Sequence, residues 1–405
     1  MGKTLLFVLP TPIKSSVLQS WLSGYPNFQD ALILRKGFSQ GFSLKYNGPR
    51  RPKDAGCLAS ASDNPLVVLE KLNKEINLGR IAGPFRTRPF ANLQCSPIGL
   101  VPKREPNTFR MIHHLSFPFG ASINDYIDKE LCTVRYASFD KAVGMIMELG
   151  TSAWLAKADI KSAFRLLPVS PLDYELLGFS FKGMFYFDKC LPMGCSISCA
   201  LFEKFSSFLE YRIRLTAGTP FVTHYLDDFL FMGKSSASCQ QLLLDFQSMC
   251  ATLGVPLAPE KTEGPVQTIQ YLGLEIDSTC AQVRVPRSKV RATCQKIHHL
   301  LRKRKASLVA LQSLLGSLNF LCKAVAPGRA FLRRLIGLTV GLKKPHHLVR
   351  ISKGARLDLL MWLHFLSHFN GVSAFLSQHW ESNEALDLFT DAAAGIGFGA
   401  YFKGK

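Results

Sequence analysis

The chain has 405 residues, of which 47% are hydrophobic, and this is enough apolar material for two or three packed domains and excludes a wholly disordered protein. Its 49 Lys and Arg against 29 Asp and Glu give a net charge of +20. Residues 278–357 contain 18 of the basic residues and no acidic one, so this stretch carries almost the whole excess. A basic surface of this kind indicates a polyanionic partner.

The cysteines and the N-terminus bear on the compartment. Eleven cysteines, an odd number without any Cys-x-x-Cys spacing, argue against a secreted disulfide scaffold. The N-terminal apolar run is interrupted by Pro10 and Pro12 and is too short for a signal peptide. No segment is long and apolar enough to span a membrane. We therefore expect an intracellular protein of the cytoplasm or nucleus, neither secreted nor bound to a membrane.

The first part of the chain changes character near residue 64. Residues 1–63 are rich in Gly, Pro, Ser and basic residues, so we predict an extension with little core of its own. Asn64 as N-cap, Pro65 at the first helical position and Gly79 beyond the end predict a helix. Two short apolar runs within residues 98–116 flank a polar segment and predict a hairpin with a basic tip.

The middle of the chain alternates short apolar runs with segments of helical periodicity. The predicted elements are a strand over Ala153–Ile160, a helix over Ile197–Ile213, strands over Phe221–Leu226 and Phe229–Met232, a helix from Ser235 or Ser236 to Gly254, and strands over Ile269–Ile276 and Gln282–Val285. In the basic region, Pro286 opens one helix and Ser307 caps a second. The pattern predicts an α+β core followed by an all-α basic domain.

Three aspartates are the most informative polar residues. Asp227 and Asp228 lie at the junction of two predicted strands, and Asp159 ends its own strand 68 residues upstream. Adjacent strands of one sheet would bring Asp159 and Asp227 together, and such carboxylates hold two hard cations about 3.5–4 Å apart for in-line phosphoryl transfer. An ordinary acidic hairpin turn is the alternative for Tyr225–Asp228 taken alone.

Other candidates gain weight only from their neighbours. Lys103 and Arg110 suit a triphosphate as a point charge and a planar fork, although solvated surface charge is the alternative for each. Gly194 precedes a helix and permits the close backbone approach that a base or phosphate needs, although a plain turn also explains it. Phe164 is equally compatible with a core position, and Lys261 with a solvated one.

The ordered set of motifs resembles the reverse transcriptases. Lys157–Phe164, Leu191–Gly194 and Tyr225–Asp228 resemble three sequential motifs of that family. Val101–Lys103 and Phe109–Ile112 look like the fingers motifs of that family. Gly254 with Lys261 resembles its next palm motif, and Tyr271–Gly273 resembles its primer grip. The resemblance covers roughly residues 64–285.

The resemblance implies a fold and an activity. It implies a right-hand polymerase of α+β class with fingers over 64–150, a palm with an antiparallel sheet over 151–285, and a basic helical thumb and connection over 286–380. The implied activity is that of an RNA-directed DNA polymerase, which extends a DNA primer on an RNA template from deoxynucleoside triphosphates. Two Mg²⁺ ions, with Mn²⁺ as an alternative, are the implied cofactors.

It also implies roles for single residues. Asp159 and Asp227 would bind the metals, with the Ile160 carbonyl helping and Asp228 in support. The residues implied around the nucleotide are Lys103 and Arg110 on the triphosphate, Phe164 as a gate beneath the sugar, Met193 and Gly194 on the templating pair, and Lys261 as the proton donor to pyrophosphate. Two positions depart from the family pattern: His114 stands where many members have Asp, and Met193 where Gln or Phe is common.

Finer features resemble retrotransposon enzymes of the DIRS, or tyrosine-recombinase, type. They are Gly79–Phe85, His113–Pro118 and Ala326–Ala330. This resemblance implies a fragment of an element-encoded polyprotein with other element-encoded domains as partners. Residues 385–405 resemble the first hairpin of a ribonuclease H domain, with Asp391 as its first metal carboxylate. Because the chain ends 14 residues later, we expect no ribonuclease H activity from it.

Two alternatives to an active reverse transcriptase stay open. A retroelement relic would still bind nucleic acid but would no longer catalyse. A DNA-templated polymerase with a similar palm would share the same charge distribution and metal ligands.

Overall fold

The computed structural model describes residues 9–103, 107–369, 371–375, 382–393 and 397–402. The chain forms two compact units, Met1–Leu272 and Gly273–Lys405, and each is described by itself. The division falls upstream of residue 285, where the sequence predicts the palm to end. Within the described residues, none of the helices combines the length and the apolar character that crossing a membrane would require.

The first unit contains seven helices and ten strands among its described residues. The helices are α1 Ser15–Leu22, α2 Phe28–Gln40, α3 Ala59–Ser62, α4 Pro65–Asn77, α5 Phe139–Leu149, α6 Ser198–Ala217 and α7 Ser236–Leu253. The strands are β1 Ile81–Phe85, β2 Ile98–Pro102, β3 Phe109–His113, β4 Trp154–Asp159, β5 Gly178–Phe181, β6 Met184–Asp188, β7 Val222–Tyr225, β8 Asp228–Gly233, β9 Glu263–Val266 and β10 Thr268–Tyr271.

A four-stranded antiparallel sheet in the order β7-β8-β4-β9 forms the centre of this unit. Helix α7 packs against β4 and β8. Phe229 and Phe231 of β8 contact Phe246 of α7, with ring centroids 4.7 and 4.9 Å apart. Burial of these large apolar side chains holds the helix to the sheet and thereby fixes the strands that end in aspartates.

The helix boundaries follow the predicted caps. Ser235 accepts a hydrogen bond from the Ser238 backbone N–H, and Gly254 ends α7 with φ +87°. A side chain at Gly254 would overlap the Pro12 carbonyl oxygen, so glycine is required there for space as well as for conformation. The predicted start of α4 at Pro65 is also confirmed.

Two smaller sheets accompany the central one. Strands β2 and β3 form the predicted hairpin, with Ile98 opposite His113. Strands β1, β6 and β5 form a sheet that the sequence analysis did not predict. Strand β9, which pairs with β4, was also missed, because its segment contains Gly264 and Pro265 and shows no alternation. The tip of the β2–β3 hairpin, residues 104–106, lies outside the described residues.

The N-terminal extension is not separate from the rest of the first unit. Leu18, Leu34 and Phe38 are fully or almost fully buried and belong to the same hydrophobic cluster as Phe205 of α6. Phe38 contacts Phe205 with ring centroids 5.0 Å apart. The described part of the extension, residues 9–63, therefore shares the core of the unit, a contribution that its weak periodicity did not reveal.

The described residues of the basic region, 286–380, include three short strands, so the prediction of an all-helical basic domain was wrong. The second unit as a whole contains both helices and strands. Its helices are α8 Arg287–Leu301, α9 Leu308–Leu321, α10 Arg333–Gly337, α11 Lys353–His368 and α12 Asn383–Leu386. Its strands are β11 Leu274–Asp277, β12 Gln282–Arg284, β13 Lys305–Ser307, β14 Leu348–Arg350, β15 Val372–Ala374, β16 Leu388–Ala393 and β17 Gly397–Phe402. Strands β13, β14 and β15 have three residues each and pair with segments distant in sequence, which local patterns do not reveal.

The predicted strand over residues 269–276 is also wrong, because the chain contains two strands there. Strand β10 ends at Tyr271 and β11 begins at Leu274. Between them Leu272 and Gly273 adopt left-handed conformations, with φ +46° and +80°. Glycine accommodates such a turn readily, whereas leucine does so only under tertiary constraint.

Candidate active site

The three aspartates lie together at one end of the central sheet. Asp159 is the last residue of β4 and stands directly opposite Asp228, the first residue of β8. Asp227 precedes Asp228 in the β7–β8 turn, and its carbonyl oxygen accepts a hydrogen bond of 3.0 Å from the Ile160 N–H. The prediction that two adjacent strands bring these residues together is confirmed.

The carboxylates repel one another. Burial, and then the charge of Asp159, raise the pKa of Asp227 above its ordinary value. Burial, followed by the charges of Asp227 and Asp159, raises the pKa of Asp228 to about 6. Like charges held this close in a partly buried place favour a neutralising cation.

Lys261 is one such cation. Its Nζ donates a hydrogen bond of 2.7 Å to Asp159 Oδ2. Burial works to lower the pKa of Lys261, but the hydrogen bond and charge of Asp159 outweigh it, and the pKa is raised. The lysine is brought here by a turn at 259–261 that is anchored where the Ala258 N–H donates to the Asp159 carbonyl oxygen.

The donor atoms suit a hard divalent cation. Carboxylate oxygens and backbone carbonyls are the ligands that Mg²⁺ prefers, and the pKa values of Asp227 and Asp228 are raised first by burial and then by the charge of neighbouring carboxylates. In the described part of the chain, no group of three or more His, Cys, Asp or Glu side chains converges in ligand geometry. The fit therefore rests on the chemistry and charge of the aspartates rather than on a formed coordination shell.

A cavity of about 660 Å³ opens in the same unit. It is lined by Lys103, Arg110, Phe164 and Met193, four of the five residues predicted to bind the nucleotide. Among the described residues, Asp159, Asp227 and Asp228 do not line this cavity. Lys161, two positions after Asp159, does line it. The charge of Arg110 also acts to lower the pKa of Asp227. The cavity and the carboxylates are therefore neighbours, a relation that separate sequence motifs did not establish.

Phe164 is held by packing as well as exposed to the cavity. It belongs to a short 3₁₀ turn, Ala163–Leu166, that follows Ser162 in a left-handed conformation with φ +61°. Its ring meets that of Phe202 edge-on, with centroids 5.7 Å apart. The Phe164 side chain thus packs against the core and also lines the cavity.

Glycine is required at position 194 by contact with the protein's own backbone, whereas the sequence predicted the close approach of a base or phosphate. The φ of Gly194 is +117°, and a Cβ there would overlap the His113 carbonyl oxygen. Asn124 Nδ2 donates 2.7 Å to the Gly194 carbonyl oxygen and fixes the turn from the other side. The close approach is therefore to the protein's own strand β3, and contact of Gly194 or the exposed Met193 with a templating pair stays a prediction.

Several charged residues that line the cavity were missed. Arg165 and Asp188 form an ion pair of 2.7 Å, and His113 contacts the same aspartate. Arg165 interrupts an otherwise apolar segment, Ala163–Val169, and that interruption is the one signal the sequence offered. At the next position after His113, His114 has its buried Nδ1 without a hydrogen-bond partner among the described residues.

Asp391 lies in the second unit. It is exposed on β16 and stands opposite Gly399 of β17. Gly395 and Ile396, which belong to the ribonuclease H-like motif, lie outside the described residues.

The central segment of the chain matches a known protein-family model. Residues 101–276 match the family model described as reverse transcriptase (RNA-dependent DNA polymerase). This span contains the three aspartates, Lys103 and the cavity-lining residues Arg110 and Phe164.

Curated relatives match at low identity and over part of their length. The Gag-Pro-Pol polyprotein of Human T-cell leukemia virus 3 (strain 2026ND) is 25% identical over 206 residues, which are 49% of this chain and 14% of that polyprotein. The Transposon Tf2-7 polyprotein of Schizosaccharomyces pombe is 24% identical over 264 residues, which are 64% of this chain and 18% of that polyprotein. The chain thus matches less than a fifth of the length of either relative.

Solved structures show the same fold. The foamy viral protease-reverse transcriptase dRH in complex with double-stranded DNA aligns with 96% of this chain and 66% of its own, with a TM-score of 0.62 and 16% identity. The foamy viral enzyme in complex with an RNA/DNA hybrid aligns with 96% and 52%, with a TM-score of 0.60 and 14% identity. The predicted polymerase fold is confirmed. Residues 101–276 match the reverse transcriptase family model, and the chain is similar to parts of retroviral and retrotransposon polyproteins.

Proposed function

We propose that this chain is an RNA-directed DNA polymerase that extends a DNA primer on an RNA template by using deoxynucleoside triphosphates. One observation carries the proposal: three mutually repelling aspartates lie beside a cavity lined by Lys103, Arg110 and Phe164. This arrangement combines a cation-demanding carboxylate cluster with a basic pocket of the size and charge that a nucleoside triphosphate needs.

Each residue then has a task. Asp159, Asp227 and the Ile160 carbonyl would hold two Mg²⁺ ions, or Mn²⁺ instead, with Asp228 in support. When bound, such ions activate the attacking oxygen and offset the charge of an in-line phosphoryl transfer. Lys261, which is hydrogen-bonded to Asp159, would give a proton to the leaving pyrophosphate.

The cavity residues bind and select the nucleotide. Lys103 and Arg110 neutralise the triphosphate from the β2–β3 hairpin. Phe164, supported from behind by Phe202, would lie beneath the sugar and exclude a ribose 2′-hydroxyl by its bulk. Met193 and Gly194 would contact the templating base pair.

The basic second unit would hold the nucleic acid. Its helices α8 and α10 carry Lys and Arg within the stretch that contains 18 basic residues and no acidic one. The foamy viral enzymes with the same fold are described in complex with double-stranded DNA and with an RNA/DNA hybrid. We infer that this chain grips its duplex through the phosphates, with affinity that falls steeply with salt.

The finer origin of the chain is part of the proposal. The DIRS-type segments and the match to a retrotransposon polyprotein support an element-encoded enzyme that works inside the cell with other element-encoded domains. The β16–β17 hairpin with Asp391 is compatible with the start of a ribonuclease H domain.

Primer extension tests the proposal directly. The purified chain is given an RNA template or a DNA template of the same sequence, with a labelled DNA primer, deoxynucleotides and Mg²⁺. Asp227→Asn and the exposed Asp63→Asn serve as matched variants. We expect extension by the parent and by Asp63→Asn and none by Asp227→Asn. Absence of extension by a parent that still binds duplex would support the relic, and extension on DNA templates alone would support the DNA-templated alternative.

A further inference from the structure

A chain of charged side chains connects four structural elements along the wall of the cavity. Arg165 Nη1 donates 2.7 Å to Asp188 Oδ1, and Arg165 Nε donates 2.9 Å to Glu75 Oε2. The other oxygen of Asp188 accepts a hydrogen bond of 3.1 Å from His113 Nδ1. We call Glu75, Arg165, Asp188 and His113 the Asp188 network.

The network is well shielded from water. The side chains of Asp188 and His113 are 5% and 4% exposed, and those of Arg165 and Glu75 are 15% and 20% exposed. Burial works to raise the pKa of Asp188, but the charge of Arg165 and the hydrogen bond from His113 outweigh it and hold the pKa below its ordinary value. Asp188 is therefore a buried anion whose position depends on two directional partners.

Both ring nitrogens of His113 face acceptors. Nδ1 faces Asp188 Oδ2, and Nε2 lies 3.1 Å from the Gly178 carbonyl oxygen. Each ring nitrogen is thus within hydrogen-bond distance of an oxygen on a different strand. The ring is thereby fixed between β5 and β6 at the end of β3.

Every member of the network adjoins a part of the proposed nucleotide site. Arg165 directly follows Phe164 in the chain, and Asp188 ends the strand that leads to Met193 and Gly194. The His113 N–H donates 3.3 Å to the Met193 carbonyl oxygen, and the His113 carbonyl lies against Gly194.

We propose that His113, Arg165 and Asp188 are positioning residues that fix the Phe164 gate relative to the Met193–Gly194 turn, and so determine nucleotide affinity and sugar selection. The proposal rests on the proposed polymerase function. Charge-assisted hydrogen bonds are directional, unlike apolar packing, so they hold two loops in one relative geometry. Small displacements of groups that orient a substrate reduce rates strongly.

A matched site separates this role from a contribution to stability alone. The Asp173 side chain is 6% exposed, against 5% for Asp188, and it accepts hydrogen bonds of 2.6 Å from Arg50 Nη2 and 2.8 Å from the Leu44 N–H. Arg50 also pairs with Glu175, as Arg165 does with Glu75. Among the described residues, Asp173, Arg50 and Glu175 do not line the cavity.

The experiment compares Asp188→Asn with Asp173→Asn in the full chain. Single-nucleotide incorporation gives kcat and KM for a deoxynucleotide and for the matching ribonucleotide, and thermal melting gives stability. We expect both variants to lower the melting temperature. Asp188→Asn should also raise the deoxynucleotide KM roughly tenfold and reduce sugar discrimination, because the pocket geometry loosens. Asp173→Asn should leave the deoxynucleotide KM and the sugar discrimination within about twofold of the parent, since a substitution remote from the cavity acts mainly on stability.

Arg165→Lys with Arg50→Lys repeats the comparison if an asparagine variant does not fold. Lysine keeps the charge but lacks the planar fork that reaches Asp188 and Glu75 at once. Equal kinetic parameters for the two members of a matched pair would overturn the proposal.

Hydrogen exchange gives an outcome that does not depend on catalysis. We expect faster amide exchange around Phe164 and Met193 in Asp188→Asn than in Asp173→Asn. If the parent extends no primer, the polymerase proposal fails. The positioning role is then supported by faster exchange in Asp188→Asn and refuted by equal exchange in the two variants. If the parent is active and the exchange is equal in both variants, the positioning role alone is refuted.

Discussion

Substitution of Gly194 tests how tightly the turn before α6 is held against strand β3. Two separate penalties act on Gly194→Ala. The backbone has φ +117°, which side-chain-bearing residues rarely adopt, and the new Cβ would overlap the His113 carbonyl oxygen. The first penalty amounts to about 1–3 kcal/mol and the second to about 1–3 kcal/mol, so we expect a total loss of about 4 kcal/mol.

Two other glycines of the same unit separate these penalties. Gly183 has φ +73° but nothing within 4 Å of an added Cβ, so Gly183→Ala should cost about 1–2 kcal/mol from conformation alone. Gly24 has neither a positive φ nor a close neighbour, and Gly24→Ala should change stability by less than about 0.5 kcal/mol.

Urea unfolding at neutral pH, followed by circular dichroism, measures the series. The slope of the unfolding free energy against urea must stay constant for the differences to be read as stability. The expected order of destabilisation is Gly194 above Gly183 above Gly24. If Gly194→Ala costs no more than Gly183→Ala, the His113 carbonyl does not confine the turn and the steric argument is refuted.

Three further predictions concern selection, pH and salt. Phe164→Ala should admit ribonucleotides while Phe164→Tyr retains discrimination, and unchanged sugar preference in a competition assay would contradict the gate. His224 lies between Glu210 and Glu203; burial works to lower its pKa, but these carboxylates outweigh it and raise the pKa. The stabilisation is therefore complete below the unfolded pKa of about 6.5 and is lost as pH rises through the higher folded pKa. Melting temperatures from pH 6 to 9 should fall less for His224→Gln than for the parent, and parallel curves would argue against this. Lys303→Ala should weaken duplex binding and reduce the slope of log affinity against log salt by about one, and an unchanged slope would place Lys303 away from the phosphates.

Much of the site could be predicted because its residues stand in short, ordered motifs. The strand that ends in Asp159 and the turn at Asp227 are each local, and an apolar run followed by an aspartate indicates both. Cap residues such as Ser235 and Ser307 likewise predicted helix starts that the structure confirms, since capping depends on side chains within one turn.

The remainder depended on contacts between segments far apart in the chain. The burial of Leu18 and Phe38 in the core of the first unit has no local signature. Strands β13 and β14 pair across more than forty residues, and the basic region therefore looked entirely helical from its sequence.

The sequence by itself determined which chemical groups are available and in what order: the carboxylates, the cavity cations and the basic stretch. Only the tertiary structure decided how they act on one another. It placed Lys261 on Asp159, the Gly194 turn on the carbonyl of His113, and Arg165 between Glu75 and Asp188. The physical reason is that charge and hydrogen-bond energies depend on distance and burial, which arise when separate segments pack together.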